Sequence, residues 1–264
     1  MISINGFNLG PMRITLILAG LLMPLVCLDA QVLDEILESH YEAAGQDKMG
    51  KIETIVTHGK NHYSMAGIES GFTIYRARPD KIRVESQFQG SGVIQAYNGE
   101  RGWMVAPSMG VPEPKEMTTN ELKSLLNQAE FENPLWKFEE KGSRLELIES
   151  EPDETADHLK LTTSEGDELH FFIDRESRLI TSIRSTQVMG GSETEITSVL
   201  QDYKNTRGIP VARRIQTRMN GETVTTIEIE RVEFNKKIDS TLFEKPVMVP
   251  SAPSSLEQGN HKNQ

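Results

Sequence analysis

Alternation of apolar and polar residues with a period of two runs through most of this chain, and it constrains the fold more than any other feature. In the clearest segment, Ile82, Val84 and Ser86 would face one side of a strand while Lys81 and Arg83 face the other. This pattern is typical of a half-buried antiparallel strand. About ten such segments recur at the spacing of roughly 8–12 residues that is common in β-sandwiches and barrels. The predicted strands cover residues 72–74, 82–88, 93–97, 103–105, 145–147, 159–161, 169–173, 179–186, 195–202, 211–219 and 223–234.

Turn residues separate these segments. The dipeptides at 98–99 and 220–221 are both Asn-Gly, which is typical of tight hairpin turns. The Arg-Pro-Asp sequence at 78–80 predicts a further turn. Consecutive strands are therefore expected to pair as hairpins, and a large twisted sheet of this kind tends to curl or close.

Two stretches have the helical period instead. The first begins near Val32, has a predicted stop at Gly45, and is followed by a short turn at residues 48–52. The second spans residues 118–130, with Thr119 as its expected cap, and lies among prolines, so it is expected to leave the sheet and return to it. Both helices are expected to cover the concave face of the curled sheet. The apolar positions of the first helix are Val32, Leu33, Ile36, Leu37, Tyr41 and Ala44.

The N-terminus has the pattern of a secretory signal peptide. Arg13 precedes an apolar run from Ile14 to Val26, and Ala30 offers a small residue for cleavage. The run is shorter than the roughly 20 residues that a membrane-spanning helix needs, so a transmembrane anchor is the weaker interpretation. Met12 is an alternative start for the same signal. We therefore expect residues 1–30 to be removed and the rest to be exported to the periplasm.

Cys27 leaves one alternative open for localisation. A cysteine at the end of such a run can be a lipid attachment site, but Val26 stands where bacterial lipoprotein signals have a small residue. If cleavage follows Ala30, no cysteine remains, because the chain has only one. Residues 31–250 are then expected to form one β domain, and the polar stretch 251–264 is expected to be disordered.

Net charge narrows the classes of partner. The chain carries a formal charge of −11 at pH 7. Nucleic acid and anionic lipid headgroups, held by bulk charge, are therefore not expected as partners. An apolar ligand in a cavity is compatible with this charge.

No arrangement of residues points to catalysis or to a cofactor. The nucleophile, zinc-protease and phosphate-loop motifs are missing from the sequence. His58 and His62 share a face of a predicted strand, but a zinc site would need a third ligand, and none is near in sequence. A calcium site in the acidic run 149–157 lacks the usual spacing of oxygen ligands. An enzyme acting on an envelope substrate is the least favoured function.

Several motifs, taken in their order, resemble the periplasmic outer-membrane lipoprotein-sorting family, the LolA-like carriers and their relatives. The resemblance spans roughly residues 31–250 and looks closer to divergent members than to the dedicated carrier. It implies a mainly β fold with a few helices: an incomplete, unclosed antiparallel β-barrel of about eleven strands covered by helices. It also implies an apolar cavity for acyl chains. The motifs are VLDEILESHYEAAGQDKMGKIETI, YRARPDKIRVESQFQG, AYNGERGWMVAP, LHFFIDRESRLITSI and VEFNKKIDSTLFEKP.

From this resemblance we expect a periplasmic carrier that shelters the acyl chains of a lipid, lipopeptide or lipoprotein, with an envelope membrane protein as a further partner. Methionine-rich linings adapt to varied cargo, which favours the region 107–130 as a lid. The residues predicted to line the cavity or lid are Trp103, Met104, Met109, Met117, Leu122, Leu125 and Leu126. An equally favoured interpretation is that these residues are ordinary core and loop residues. The alternative function is a non-catalytic envelope interaction module with the same fold and a filled core.

Overall fold

A computed structural model of this protein describes residues 25–88, 90–149 and 155–247. The predicted signal segment up to residue 24, most of the acidic run after Glu149 and the predicted polar tail lie outside the described residues. No helix within these ranges is both long enough and apolar enough to cross a membrane. Because the segment up to residue 24 is not described, the predicted signal peptide and the lipidation of Cys27 stay predictions.

The described chain forms one sheet of thirteen antiparallel strands in the order β6-β5-β4-β3-β2-β1-β13-β12-β11-β10-β9-β8-β7. Strands β6 and β7 are the two edges and do not pair with each other, so the predicted incomplete barrel is confirmed. The strands are β1 Thr54–Tyr63, β2 Ile68–Ala77, β3 Lys81–Phe88, β4 Ser91–Tyr97, β5 Gly102–Ala106, β6 Val111–Glu116, β7 Arg144–Ile148, β8 Ala156–Thr162, β9 Glu168–Asp174, β10 Ile180–Met189, β11 Ser192–Thr206, β12 Ile209–Met219 and β13 Glu222–Phe234.

The sheet has two more strands than the expected eleven. One strand that the alternation did not predict is β6, which contains Pro112 and Pro114. A proline has no backbone N–H to donate, so it is tolerated on an edge strand, where one side needs no partner. The sequence therefore looks like a loop, whereas the pairing with β5 makes it a strand.

The helices are α1 Leu25–Ala44, α2 Gln46–Met49 and α3 Thr119–Leu126. Val32, predicted to lie on the apolar stripe of α1, is exposed, while Ile36 and Leu37 are buried as expected. The second predicted helix is shorter than the expected 118–130. Its cap is Thr118, one residue before the expected Thr119, because the Thr118 hydroxyl accepts the Glu121 N–H and the Glu121 carboxylate accepts the Thr118 N–H.

Up-and-down connections place the turns alternately at two ends of the sheet, and one end is held by the helices. We call it the tied end. Lys48 of α2 donates to the Gly208 carbonyl in the β11–β12 turn, at 3.2 Å. Arg78 in the β2–β3 turn donates through Nε to the Ile52 carbonyl, at 2.7 Å. Below β4 and β5, the Asn98 amide donates to the Glu244 carboxylate at 2.9 Å.

The opposite end, the free end, contains the β1–β2, β10–β11 and β12–β13 turns and the 3-10 turn Pro107–Met109 between β5 and β6. Among the described residues, the helices make no hydrogen bond to these four turns, and at this end α3 reaches only the β8–β9 loop, through Lys123 and Glu165. The closure of the sheet is therefore unequal at its two ends.

Three apolar clusters lie on the inner face of the sheet. The largest packs Ile36 and Leu37 of α1 against β7–β10, around the fully buried Phe171. A central cluster joins Ile52 to Phe131 and Phe234. The third packs α3 against the strands around Ile82.

His40 connects α1 to both the tied end and the segment after α3. Its Nδ1 lies 2.7 Å from the Arg178 carbonyl oxygen, and its Nε2 lies 2.6 Å from the amide nitrogen of Asn133. The Asn133 amide oxygen accepts the Leu135 N–H, so its nitrogen donates and the His40 Nε2 accepts. These bonds require a neutral imidazole, and burial lowers the pKa of His40 below 6.5.

We expect His40 to make the protein less stable in mild acid. Since the unfolded chain takes up a proton near pH 6.5 and the folded chain resists it, stability is lost as pH falls through that value. Urea unfolding at about pH 7.5 and about pH 5 measures the loss. His40→Gln removes the titrating group, so the variant should lose less stability between the two pH values than the unaltered protein does. An equal loss in both proteins would contradict this role of His40.

Candidate functional site

A cavity of ≈ 420 Å³ lies on the inner face, between the third cluster and the central cluster. Its walls come from β1–β4, β12 and β13, and most of its side chains are apolar. A volume of roughly 300–1,000 Å³ is usual for small-ligand pockets. The apolar lining residues are Ile55, Phe72, Ile74, Val84, Val211, Ile215, Ile227, Ile229, Val232 and Phe234.

Strand alternation explains why these residues share one face. On β2, Phe72, Ile74 and Arg76 occupy every second position and point inward. On β13 the inward positions shift from Ile227 and Ile229 to Val232, because a bulge opposite His58 inserts one residue. The bulge keeps apolar side chains facing the cavity along the whole strand.

Residues 117–143, which we call the crossing segment, run from β6 to β7 across the inner face. They contribute buried side chains to all three apolar clusters. Arg76 reaches the crossing segment from the cavity wall, and its Nη1 donates to the Glu130 carbonyl at 3.0 Å. Arg78 pairs with Glu132 and lies over the Phe131 ring, 4.5 Å from its centroid. Arg76 near the end of β2 and Arg78 in the turn that follows thus hold the middle of the segment against the sheet.

Arg76 is an unusual residue for an apolar wall. Burial lowers its pKa to about 10, because a charged group loses hydration in such surroundings. Its Nε is buried and has no hydrogen-bond partner among the described residues. Buried hydrogen-bond donors in a protein core are normally paired, so the unpaired donor of Arg76 points to a role beyond stabilising the fold.

A second arginine, on strand β12, also lies on the inner face of the sheet. Arg213 is placed between the cavity residues Val211 and Ile215, and its Nη2 donates to the Thr206 hydroxyl at 2.8 Å. Its Nε and Nη1 are buried without a partner in the described part of the chain. Arg76 and Arg213 therefore bring positive charge to an otherwise apolar face. The sequence analysis missed both, because an arginine at an alternating position normally indicates the solvent-facing side of a strand.

The cavity also has a few uncharged polar groups. Thr57, Ser86, Gln95 and Gln128 contribute to its lining. Toward the free end it is bordered by Asn61 and Tyr63, near the end of β1. An apolar pocket with a small number of polar groups suits a ligand that is mainly hydrocarbon and has a polar end.

None of the seven residues predicted for the cavity or lid is among the residues that line the cavity. Five of them form the third cluster, in which α3 packs on the sheet next to the cavity: Met104, Met117, Leu122, Leu125 and Leu126. Trp103 is buried on the opposite face of β5 from Met104. Met109 is exposed in the 3-10 turn at the free end. Their contact with a ligand stays a prediction.

The outer face of the sheet has a wider depression, of ≈ 670 Å³, whose lining mixes charged residues such as Lys60, Glu85 and Glu230 with apolar ones and glycines. His58 borders it, 3.5 Å from Glu233, and His62 lies between Glu69 and Glu228. Within the ranges described, no three His, Cys, Asp or Glu side chains are grouped so that they could hold a metal ion. This open, charged surface suits an apolar ligand less well than the inner cavity does.

Comparisons of sequence find no relative: no protein-family profile matches the chain, and no curated protein does. Comparisons of structure do. A LolA superfamily protein from Nitrosomonas europaea is similar with a TM-score of 0.55 and 15% identity, over 80% of this chain and 97% of that one. The chain has the LolA-superfamily fold.

Two further solved structures have the same architecture. An outer membrane lipoprotein-sorting protein domain from Vibrio parahaemolyticus has a TM-score of 0.52 and 12% identity, over 80% of this chain and 95% of that one. A DUF1329 family protein from Desulfovibrio piger has a TM-score of 0.54 and 8% identity, over 79% of this chain and 97% of that one. The resemblance inferred from the order of motifs is confirmed by these structures. At identities as low as these, this chain and the three solved structures share the course of the backbone.

Proposed function

We propose that this protein binds the acyl chains of a lipid, lipopeptide or lipoprotein in its inner cavity and carries them through the periplasm. The observation that supports this most directly is the aliphatic cavity between β1–β4, β12 and β13. Its volume and its lining suit hydrocarbon. The lipoprotein-sorting protein with the same fold adds support by analogy.

The energetics of transfer explain why such a carrier needs a cavity. Each CH₂ group of an acyl chain gains about 0.8 kcal/mol when it leaves water for an apolar site. A chain sheltered in the cavity is therefore stable in transit. Polar contacts of Arg76, Arg78, His40, Tyr41 and Lys123 join the crossing segment to the rest of the protein. The segment supplies Gln128 to the cavity lining, and we propose that it is the part of the wall that moves to admit and release cargo.

The two inner-face arginines favour a particular kind of cargo. Their unpaired N–H groups can donate hydrogen bonds to an ester, phosphate or carboxylate oxygen, and a purely apolar molecule has no such acceptor. The cargo is therefore an amphiphile, and we infer that the protein acts on it without catalysis. Export by the predicted signal peptide, or anchoring through Cys27, would place it in the envelope, where a membrane protein would donate or receive the cargo.

Binding of a fluorescent fatty acid to delipidated protein, purified from a bacterial periplasm, tests this function. We expect saturable binding by the unaltered protein. Replacing both Val211 and Ile227 with tryptophan narrows the cavity and should weaken binding at least about tenfold, since the excluded methylenes each contribute about 0.8 kcal/mol.

The matched control places tryptophan on the same two strands but on the outer face, at Arg214 and Glu230. The Arg214 side chain is 40% exposed and Glu230 is also exposed, so this double variant should bind as the unaltered protein does. Failure of the unaltered protein to bind any acyl chain, or equal binding by the two double variants, would refute the proposed function.

The alternative, an interaction module with a filled core, is less well supported. A filled core leaves no vacant space on the inner face, whereas a cavity of ≈ 420 Å³ is present there. Native mass spectrometry separates the two functions, because only a carrier is expected to co-purify with a lipid-sized ligand.

A further inference from the structure

The turns at the two ends of the sheet differ in charge. At the tied end, four turns carry charged residues: 78–80, 98–101, 175–179 and 207–208. At the free end, the turns at 64–67, 107–110, 188–192 and 220–221 contain no Asp, Glu, Lys, Arg or His. One residue in four of the whole chain is charged. Charge is therefore missing from these four turns, while Glu193 and Glu222 directly follow two of them and the β8–β9 loop at the same end carries Glu165 and Asp167.

Exposed apolar side chains lie on the turns of the free end. Met65 in the β1–β2 turn is 90% exposed, and Met109 beside β5 is 56% exposed. At the tip of the β10–β11 hairpin, Val188 is 74% and Met189 is 46% exposed. Each of these three turns pairs its apolar side chain with one or two glycines. Single apolar residues on a surface are common, but here four of them project from three turns at the same end of the sheet, which indicates a contact site.

The β10–β11 hairpin extends beyond the rest of the sheet. Its pairing with β9 ends at Ser185 opposite Leu169, and its pairing with β12 begins at Ile196 opposite Met219. Residues 187–194 therefore pair only with each other. At about 3.3 Å per residue, the tip stands roughly 15 Å beyond the β12–β13 turn. This projecting part of the hairpin carries Val188 and Met189 just before its Gly190–Gly191 turn, with Glu193 opposite Val188.

One other described connection at this end is not part of the contact site. The β8–β9 loop contains Glu165, which pairs with Lys123 of α3, so the loop is folded back onto that helix. The β3–β4 turn includes Gln89, which lies outside the described residues.

We propose that the free end docks on the surface of a lipid bilayer, with Met65, Met109, Val188 and Met189 entering the interface between headgroups and acyl chains. Apolar side chains on short turns gain free energy there, whereas charged ones would lose hydration. The side chains stand singly on separate turns, an arrangement suited to a fluid surface. A protein partner would require a continuous packed patch.

Charge also selects the kind of bilayer. The protein as a whole is strongly acidic, at −11, so anionic lipids would repel it. Uncharged turns let it approach a zwitterionic surface. Because Tyr63 of the β1–β2 hairpin borders the inner cavity, docking at the free end would also bring the cavity near the lipid. The docking site itself holds whether or not the cavity binds acyl chains.

Flotation with phosphatidylcholine vesicles tests this inference on protein purified from the periplasm. The unaltered protein is expected to float with the vesicles and to remain bound when salt is raised, because apolar contact is not screened. A triple variant with aspartate at Met65, Val188 and Met189 should show a partition coefficient at least about tenfold lower, because the added carboxylates would lose hydration at the interface. All three sites are exposed, so folding should be unchanged.

Val247→Asp is the matched control. Val247 is 87% exposed but follows the last strand and lies on none of the free-end turns. Its variant should float as the unaltered protein does. Flotation of the triple variant equal to that of the control, or flotation that requires anionic lipid and disappears in high salt, would overturn the inference. So would failure of the unaltered protein to float. Fatty-acid binding without vesicles, measured on the same variants, reports the cavity separately and should not change.

Discussion

Replacing Phe171 with alanine is expected to lower the free energy of unfolding by about 3–5 kcal/mol, the range for removing a fully buried aromatic side chain. Phe171 has no exposed surface and lies in the largest apolar cluster. Its cross-strand neighbours are Leu159 on β8 and Ile183 on β10, and both pack in the same cluster. These strands and α1 surround the vacated space, so collapse can fill only part of it.

The adjacent residue supplies the control for this prediction. Phe172 points to the outer face of β9, where it stacks on His158 with ring centroids 4.5 Å apart and lies under Arg184. It is only partly buried, so Phe172→Ala should lower stability by about 0.5–1.5 kcal/mol, as for a surface aromatic pair. Urea unfolding of both variants measures the difference. Equal losses would mean that the inner face of β9 is not the core.

Replacing Gly59 with alanine is expected to lower stability by about 1–3 kcal/mol, the range for overpacking. A Cβ built at Gly59 would lie 2.4 Å from the Glu228 carbonyl oxygen and 2.7 Å from the Phe72 ring. The first of these is backbone and cannot turn aside. Gly59 also adjoins the bulge in the β1–β13 pairing, so the added methyl group forces the two central strands apart.

Gly71 is a matched site on the neighbouring strand β2. It pairs with Lys60, and a Cβ built there has no atom within 4 Å. Gly71→Ala should therefore be neutral or stabilising by about 0.5–1 kcal/mol, because alanine loses less backbone entropy than glycine on folding. Thermal unfolding of the two variants tests the contrast. A loss at Gly71 as large as that at Gly59 would show that strand glycines matter here for a reason other than space.

Most of the secondary structure could be predicted from local pattern. The alternation over residues 82–88 and 169–173 corresponds to β3 and β9, and the helical period from Val32 to Gly45 corresponds to α1. These patterns succeed because an antiparallel strand with one buried face needs an apolar residue at every second position. The same argument fails for β6, whose prolines indicate a loop although pairing with β5 makes it an edge strand.

The candidate site was far less predictable. Met104, Met117 and Leu125 are apolar and neighbours in the fold, and they pack against one another beside the cavity. Local sequence cannot tell an apolar side chain that fills a core from one that borders an empty space. Arg76 gives the opposite case: its charge indicates solvent, yet it lies in the cavity wall because the crossing segment covers it.

The sequence by itself determined that this is a mainly β chain with apolar and polar faces and an amphipathic first helix, and it predicts an N-terminal signal for export. These properties depend on residues a few positions apart, so they can be read from spacing. Only the tertiary structure decided which face closes around a cavity, which end of the sheet the helices hold, and which turns are left free. Those features arise from contacts between residues as distant in sequence as Lys48 and Gly208, or Arg76 and Glu130. No local period records such pairings, because they are made only when the whole sheet has curled.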